Sequence, residues 1–206
     1  MRQIENQNLH ALNIPELTII TPAALQTEAE RVAQLHREEG LTVAVIEQEK
    51  IFNEFSSGTP DASAYRRLMK MFYDRAEGNE NVRPRYLLLF GDGSYNNRKS
   101  MEKLHSPECN MLLTYQSKTS IDERESFVIE DYFGFLEDNS GEEIKVDKVC
   151  LGIGRFPISS IKNARLVVDK LYRYVHDKDF SSWKNNICIA ADDGDEAIHA
   201  EQADRG

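Results

Sequence analysis

Apolar residues fall along this chain in two patterns. Residues 17–20 form a short continuous run closed by Thr21-Pro22, which suits a buried strand feeding a helix with proline in its first turn. Leu25, Ala29, Val32 and Leu35 then recur at helical spacing up to Gly40, a residue that ends helices readily, and residues 41–46 are continuous again. Strand, helix and strand in that order make a βαβ unit. A polar stretch after Ile46 reads as a loop. From Pro60-Asp61 onward Tyr65, Leu68, Met69, Phe72 and Ala76 share one helical face; residues 78–84 read as a loop, and residues 86–90 form a third strand that stops at Gly91-Asp-Gly-Ser94.

Residues 96–125 are polar and weakly periodic, so they read as an excursion with one short strand near 111–115. Residues 127–136 and 145–153 flank the acidic turn Glu137-Asp-Asn-Ser-Gly141, which predicts a hairpin or an edge extension. Ser159 or Ser160 caps a further helix in which Ile161, Ala164, Val167, Val168, Leu171, Tyr172 and Val175 keep the helical spacing over four turns. Residues 186–190 read as a last buried strand running into Asp192-Asp-Gly-Asp195, with a helix expected from about Glu196. The alternation predicts an α/β fold: a doubly wound, mostly parallel sheet with helices on both faces and ligand sites beyond the carboxyl ends of its strands.

At 206 residues, 40% hydrophobic and 29% charged, the chain has an ordinary globular composition. Its formal net charge of −10, with no basic stripe interleaved with aromatics, excludes nucleic acid as an expected partner. No apolar run approaches the roughly 20 residues that span a bilayer, so no membrane span is expected.

Two loops at strand ends carry the candidate chemistry. Gly91-Asp-Gly-Ser94 is either a turn that lets an anion approach its backbone, with Asp92 facing a cleft, or a plain tight turn whose Asp bonds its own backbone. In the second loop, a carboxylate can orient a histidine as catalytic triads require, and clustered carboxylates also suit calcium, for which Asp192, Asp195 and Glu196 are the candidate ligands. A solvated turn capping the next helix is the bland alternative. No other cofactor is called for. Among the three cysteines, Cys150 and Cys188 lie within apolar runs and are expected to be buried and inert. Cys109 lies in a polar loop four residues after His105, which does not by itself make a dyad. His10, His36 and His176 show no metal-ligand pairing and are expected at the surface.

Six words occur in order: Ile4-Glu-Asn-Gln-Asn-Leu-His-Ala-Leu12, Ile51-Phe-Asn-Glu-Phe-Ser-Ser-Gly58, Tyr86-Leu-Leu-Leu-Phe-Gly-Asp-Gly-Ser-Tyr95, Asp131-Tyr-Phe-Gly134, Gly152-Ile-Gly-Arg-Phe-Pro157 and Ala191-Asp-Asp-Gly-Asp195. Together they resemble the gingipain-like C25 cysteine peptidases, and most of all their type IX secretion sortase branch. The resemblance implies a caspase-like unit of two α/β subdomains, the second bearing a His-Gly word and a downstream Cys. Neither word is present, so the chain reads as an amino-terminal segment lacking the nucleophile and its base, and inactive alone. It implies an entry segment over 1–14, a first subdomain over 15–180 and the start of the catalytic subdomain over 181–206. Asp193 matches the family's histidine-orienting carboxylate, with Asp192 as runner-up, and His199 resembles a family histidine that is not the general base. By the same resemblance the whole enzyme acts at the cell surface or outer membrane, or is secreted. Its substrates are cargo proteins whose carboxyl-terminal secretion signal it removes before attaching them to the surface. The competing reading is a non-catalytic α/β module that binds peptide or phosphate.

Overall fold

The structure, a computed structural model, describes residues 6–98, 111–119, 121–122, 124–143, 146–179, 181–191 and 198–204. Four strands, β1 (Leu17–Thr21), β2 (Val43–Glu47), β3 (Tyr86–Phe90) and β4 (Gly152–Phe156), form one sheet in the order β2-β1-β3-β4. Every pairing is parallel, with Ile19 beside Val45 on one side and Leu88 on the other. Helices described over their length are α1 (Gln26–Glu38), α2 (Gln48–Phe55), α3 (Ser63–Arg75), α4 (Ile161–His176) and α5 (Ile198–Asp204).

The period of two along each strand sorts the sheet's side chains into two cores. Leu17, Ile19, Val43, Val45, Leu88, Phe90 and Phe156 face α1 and α4, meeting Ala29, Val32, Ala164 and Val168. Ile20, Ile46, Leu87, Leu89 and Ile153 face α2 and α3, meeting Phe52, Tyr65, Leu68 and Phe72. Both faces are covered, which is why the strands read as continuous apolar runs rather than alternating ones. Strand order reverses between β1 and β3, and with right-handed crossovers that reversal sends α1 and the α2–α3 pair to opposite faces. At the reversal the buried Thr21 hydroxyl donates to the Phe90 carbonyl over 3.1 Å, tying the carboxyl ends of the two central strands together.

Local signals behave as their chemistry predicts. Gly40 takes φ +96° beyond α1, and the Leu41 amide returns to the His36 carbonyl, a helix-ending bond that needs the left-handed residue. Ser160, of the two serines considered, caps α4 by accepting the Asn163 amide at 3.1 Å.

Several expectations are corrected. The stretch after Ile46 is a helix, α2, beginning directly where β2 ends. Its Ile51, Phe52 and Phe55 pack on the core, and its polar first residue Gln48 is buried because it binds the Tyr65 hydroxyl and the Met111 carbonyl. Residues 111–115 form no ladder strand; Met111 and Gln116 make single bridges to Asp92 and Val128. The expected hairpin is absent among the described residues: residues 131–134 form a 3-10 turn, and β4 pairs parallel with β3. Tyr132, Phe133, Phe135 and Leu136 are all buried, so this arm lacks the alternating solvent face of an edge hairpin. One bond, the Cys150 amide to the Gly134 carbonyl, crosses where the hairpin was expected.

The chain divides into two compact units, Met1–Tyr172 and Arg173–Gly206. In the second, Asp179 accepts the Trp183 indole and the Ser181 amide, each at 2.9 Å, and these donors hold its carboxyl down to about 2. Residues 186–190 are not a buried strand: they join no ladder among the described residues, and Ile187 is 90% exposed. Their apolar pattern is that of a strand, but a strand exists only where a neighbour takes its amides.

One buried polar atom in the sheet, Thr18 Oγ, has no hydrogen-bond partner among the described residues. Thr18→Val, of the same shape, is therefore expected to stabilise the protein by about 1 kcal/mol. A lower urea midpoint in the variant would show that the hydroxyl is satisfied in solution.

Candidate functional site

The carboxyl ends of β3 and β4 present the loops in which an α/β sheet of this order places its chemistry. Arg155, on β4, is the centre of that edge. Its side chain is 11% exposed and forms a two-pronged pair with Glu130, Nε to Oε1 at 2.8 Å and Nη2 to Oε2 at 3.1 Å. Nη1 donates to the carbonyls of Gly91 at 3.2 Å and Asp92 at 3.3 Å, and Nη2 donates to that of Leu113 at 3.3 Å. A guanidinium has five N–H donors, and all five are used. One side chain thus fastens β4, the turn after β3, the segment from Met111 and the residue before the 3-10 turn.

The Gly91-Asp-Gly-Ser94 loop is built from these ties. The amides of Gly91 and Asp92 go to the carbonyls of Phe156 and Ile158, and that of Gly93 goes to Asp92 Oδ1 at 2.9 Å. Asp92 does bond its own backbone, as the plain-turn reading holds. None of the three amides is left for a phosphate, which argues against the phosphate-binding alternative at this loop. Gly93 is required by close approach, since a Cβ there would lie 2.8 Å from the Thr114 methyl and 3.3 Å from the Arg155 guanidinium carbon.

Segment 111–116 closes the edge. Tyr65, fully buried, receives the Leu113 amide on its hydroxyl at 3.3 Å and donates to Gln48 at 2.7 Å. Asn97 imitates a neighbouring strand, taking the Thr114 amide at 3.0 Å and giving its own to the Thr114 carbonyl at 2.7 Å. A groove of about 480 Å³ lies between this segment and the start of α3, lined by Asp61, Asn97, Leu113 and Tyr115 among others. Tyr115, which lines the groove, is stacked on the Tyr132 ring, itself faced by the Arg66 guanidinium at 5.5 Å. Burial raises the Tyr132 hydroxyl's pKa and the nearby Arg66 opposes it, so the phenol stays neutral.

The expected site residues fare unevenly. Asp192, Asp193, Asp195 and Glu196, together with His105 and Cys109, lie outside the described residues. Cys150 and Cys188 are not buried as expected: Cys188 is exposed and Cys150 half-buried. Cys150 precedes β4 instead of sitting within it, at the amino edge of the sheet, in a cleft with Arg83 and Arg85. His10 pairs with Glu54, His36 with Glu39, and His199 lies exposed on α5. Among the described residues no thiol is hydrogen-bonded to an imidazole, and no group of three His, Cys, Asp or Glu is placed to hold a metal ion. No helix of the described residues is long and apolar enough to cross a membrane. The described edge is a rigid platform, saturated with hydrogen bonds, that holds loops in place.

The family model for peptidase family C25 matches residues 10–205. The chain belongs to peptidase family C25. The crystal structure of dimeric latent PorU from Porphyromonas gingivalis is similar, with a TM-score of 0.77 and 43% sequence identity over 91% of this chain. The likeness covers 18% of the PorU chain, so this chain spans about a fifth of that relative's length. None of the curated proteins compared matches. The four-stranded parallel sheet and its helices are thus those of a chain of peptidase family C25 that is similar in fold to PorU.

Arg155 lies in the Gly152-Ile-Gly-Arg-Phe-Pro157 word, and its task is not evident from that word. The signal available was an arginine within an otherwise apolar strand word: a buried cation needs a carboxylate, and which of the chain's acidic residues answers it only folding decides. Arg155→Met should lower stability by about 3 kcal/mol, because it strands the Glu130 carboxylate and three carbonyls. Urea unfolding checks this, and a loss under about 1 kcal/mol would mean that water replaces the guanidinium.

Proposed function

We propose that this chain is the scaffold-bearing portion of a cysteine endopeptidase that acts as a sortase, removing the carboxyl-terminal secretion signal of type IX cargo proteins and joining them to the cell surface. The observation that supports this best is the C25 match over residues 10–205 together with 43% identity to PorU. On this reading residues 15–180 form the first subdomain, and residues 181–206 open the catalytic one. The nucleophile and its base come from outside these 206 residues.

Asp193 is assigned the carboxylate that orients the histidine. An imidazole that must take a proton from a thiol works only in one tautomer and one orientation, and a carboxylate on its far nitrogen supplies both. The assignment rests on the place of Asp193 in the Ala191-Asp-Asp-Gly-Asp195 word, which resembles that of the family's histidine-orienting acidic residue.

Two measurements check the proposal. The 206-residue chain should not hydrolyse a peptide bearing a cargo secretion signal. In the parent enzyme Asp193→Asn should reduce kcat for that cleavage by roughly 10²- to 10⁴-fold, while Asp192→Asn leaves it within about threefold. If neither substitution changes kcat, the carboxylate assignment is wrong. If the parent enzyme leaves cargo signals intact, the sortase reading itself falls.

A further inference from the structure

Residues 6–14 run across the outer side of α2 and reach α3. Leu9 is buried among the core residues on that face, and Leu12 and Ile14 pack against it. The polar half of the contact converges on one carboxylate, Glu54 of α2, whose side chain is 15% exposed. Its two oxygens receive the Leu9 amide at 2.8 and 2.9 Å, the Gln7 side-chain amide at 2.8 Å, the His10 amide at 3.3 Å and His10 Nδ1 at 2.7 Å. The His10 ring lies flat on Phe55, centroids 4.7 Å apart. Around this centre Gln7 also donates to the Lys50 carbonyl and accepts from Asn53, and Arg75 of α3 donates to the Leu12 carbonyl at 3.4 Å.

We propose that residues 6–14 are a strap clasped by the Glu54 carboxylate, which lets go of α2 as a unit when that charge is removed. Two features make the release local. The strap contributes Leu9 alone to the buried residues of this core; the rest, Ile51, Phe52, Tyr65, Phe72, Leu87 and Leu89 among them, belong to elements that hold each other without it. And most of the strap's polar bonds to the rest of the chain end on the same two oxygens, so one protonation weakens them together, where scattered bonds would fail one by one.

The charged groups around the clasp give the direction. From the strap, His10 touches Glu54. From α2, Lys50 offers its carbonyl to Gln7. From α3, Arg67 is engaged with the Phe55 carbonyl and Asp61, and Arg75 with Leu12. Burial alone would raise the Glu54 pKa, but the donors from Leu9, Gln7 and His10 outweigh it and hold the carboxyl below its ordinary value of 4.5. A carboxyl lowered by folding stabilises the clasped state fully above that ordinary value, and the contribution is lost as pH falls through the folded value. The strap is therefore acid-labile, opening before the sheet does.

Hydrogen exchange followed residue by residue, corrected for intrinsic rates, tests this on the 206-residue chain with Glu54→Gln, which keeps the shape of the side chain and removes its charge. At neutral pH the variant should exchange the Leu9, Ala11 and Leu12 amides roughly ten- to a hundredfold faster than the parent chain, while Ile19 and Leu88 in the sheet stay protected. As pH falls below 4.5 the wild-type strap should progressively lose protection and the variant's should not change further. Unchanged strap protection in the variant, or loss at the strap and the sheet together, would each overturn the proposal.

Discussion

A single buried guanidinium holds the carboxyl edge of this sheet in one piece. Between β3 and β4 the chain makes an excursion of about 60 residues, the described part of which is mostly without regular structure. Such a connection has a large conformational entropy and few ladder bonds to offset it. Arg155 supplies what is missing by spending all five of its donors on Glu130 and on the carbonyls of Gly91, Asp92 and Leu113. A lysine could make three such bonds from a point and no planar fork, so the position calls for arginine. Because both members of the pair are largely removed from water, the arrangement is stable only when every bond is made, and that condition gives the loops one conformation.

The words by which the family is recognised turn out to be contact partners. Those around Leu9 and Glu54 meet in the clasp on α2. Those around Gly91, Gly134 and Arg155 meet at the β3–β4 edge, where a Cβ on Gly134 would stand 2.8 Å from both Ile153 and Val149. Their spacing in the chain is arbitrary; their chemistry is matched. A word that looks like a motif of catalysis can thus be half of a structural joint, as Gly91-Asp-Gly-Ser94 is, while the word carrying Asp193 serves another purpose in the proposed enzyme.

Much of the fold was legible because its signals are local. Both core-facing patterns in β1, β2 and β3, the helical spacing of α1, α3 and α4, and the stop at Gly40 each depend on a few adjacent residues. The readings that failed concern segments whose state depends on distant partners. α2 was hidden because its first residues are polar, and Gln48 is inside only because Tyr65 and Met111 meet it. Residues 186–190 look like a strand and are not one among the described residues, since the pattern specifies a preference and not a neighbour. Cys150 shares an apolar run with β4 yet falls before the first paired residue, Gly152, so the thiol is half-exposed.

The amino-acid sequence by itself determined the α/β class, the strands β1, β2 and β3 with the helices α1, α3 and α4, and membership in a peptidase family, because periodicity and short words survive without three-dimensional context. Tertiary structure alone decided which carboxylate answers Arg155, which residues pin the entry segment to Glu54, and that the excursion before β4 coils into a 3-10 turn instead of pairing as a hairpin. Those choices rest on contacts between residues tens of positions apart. Their energies exist only once the chain has been brought together, and no pattern along it records them.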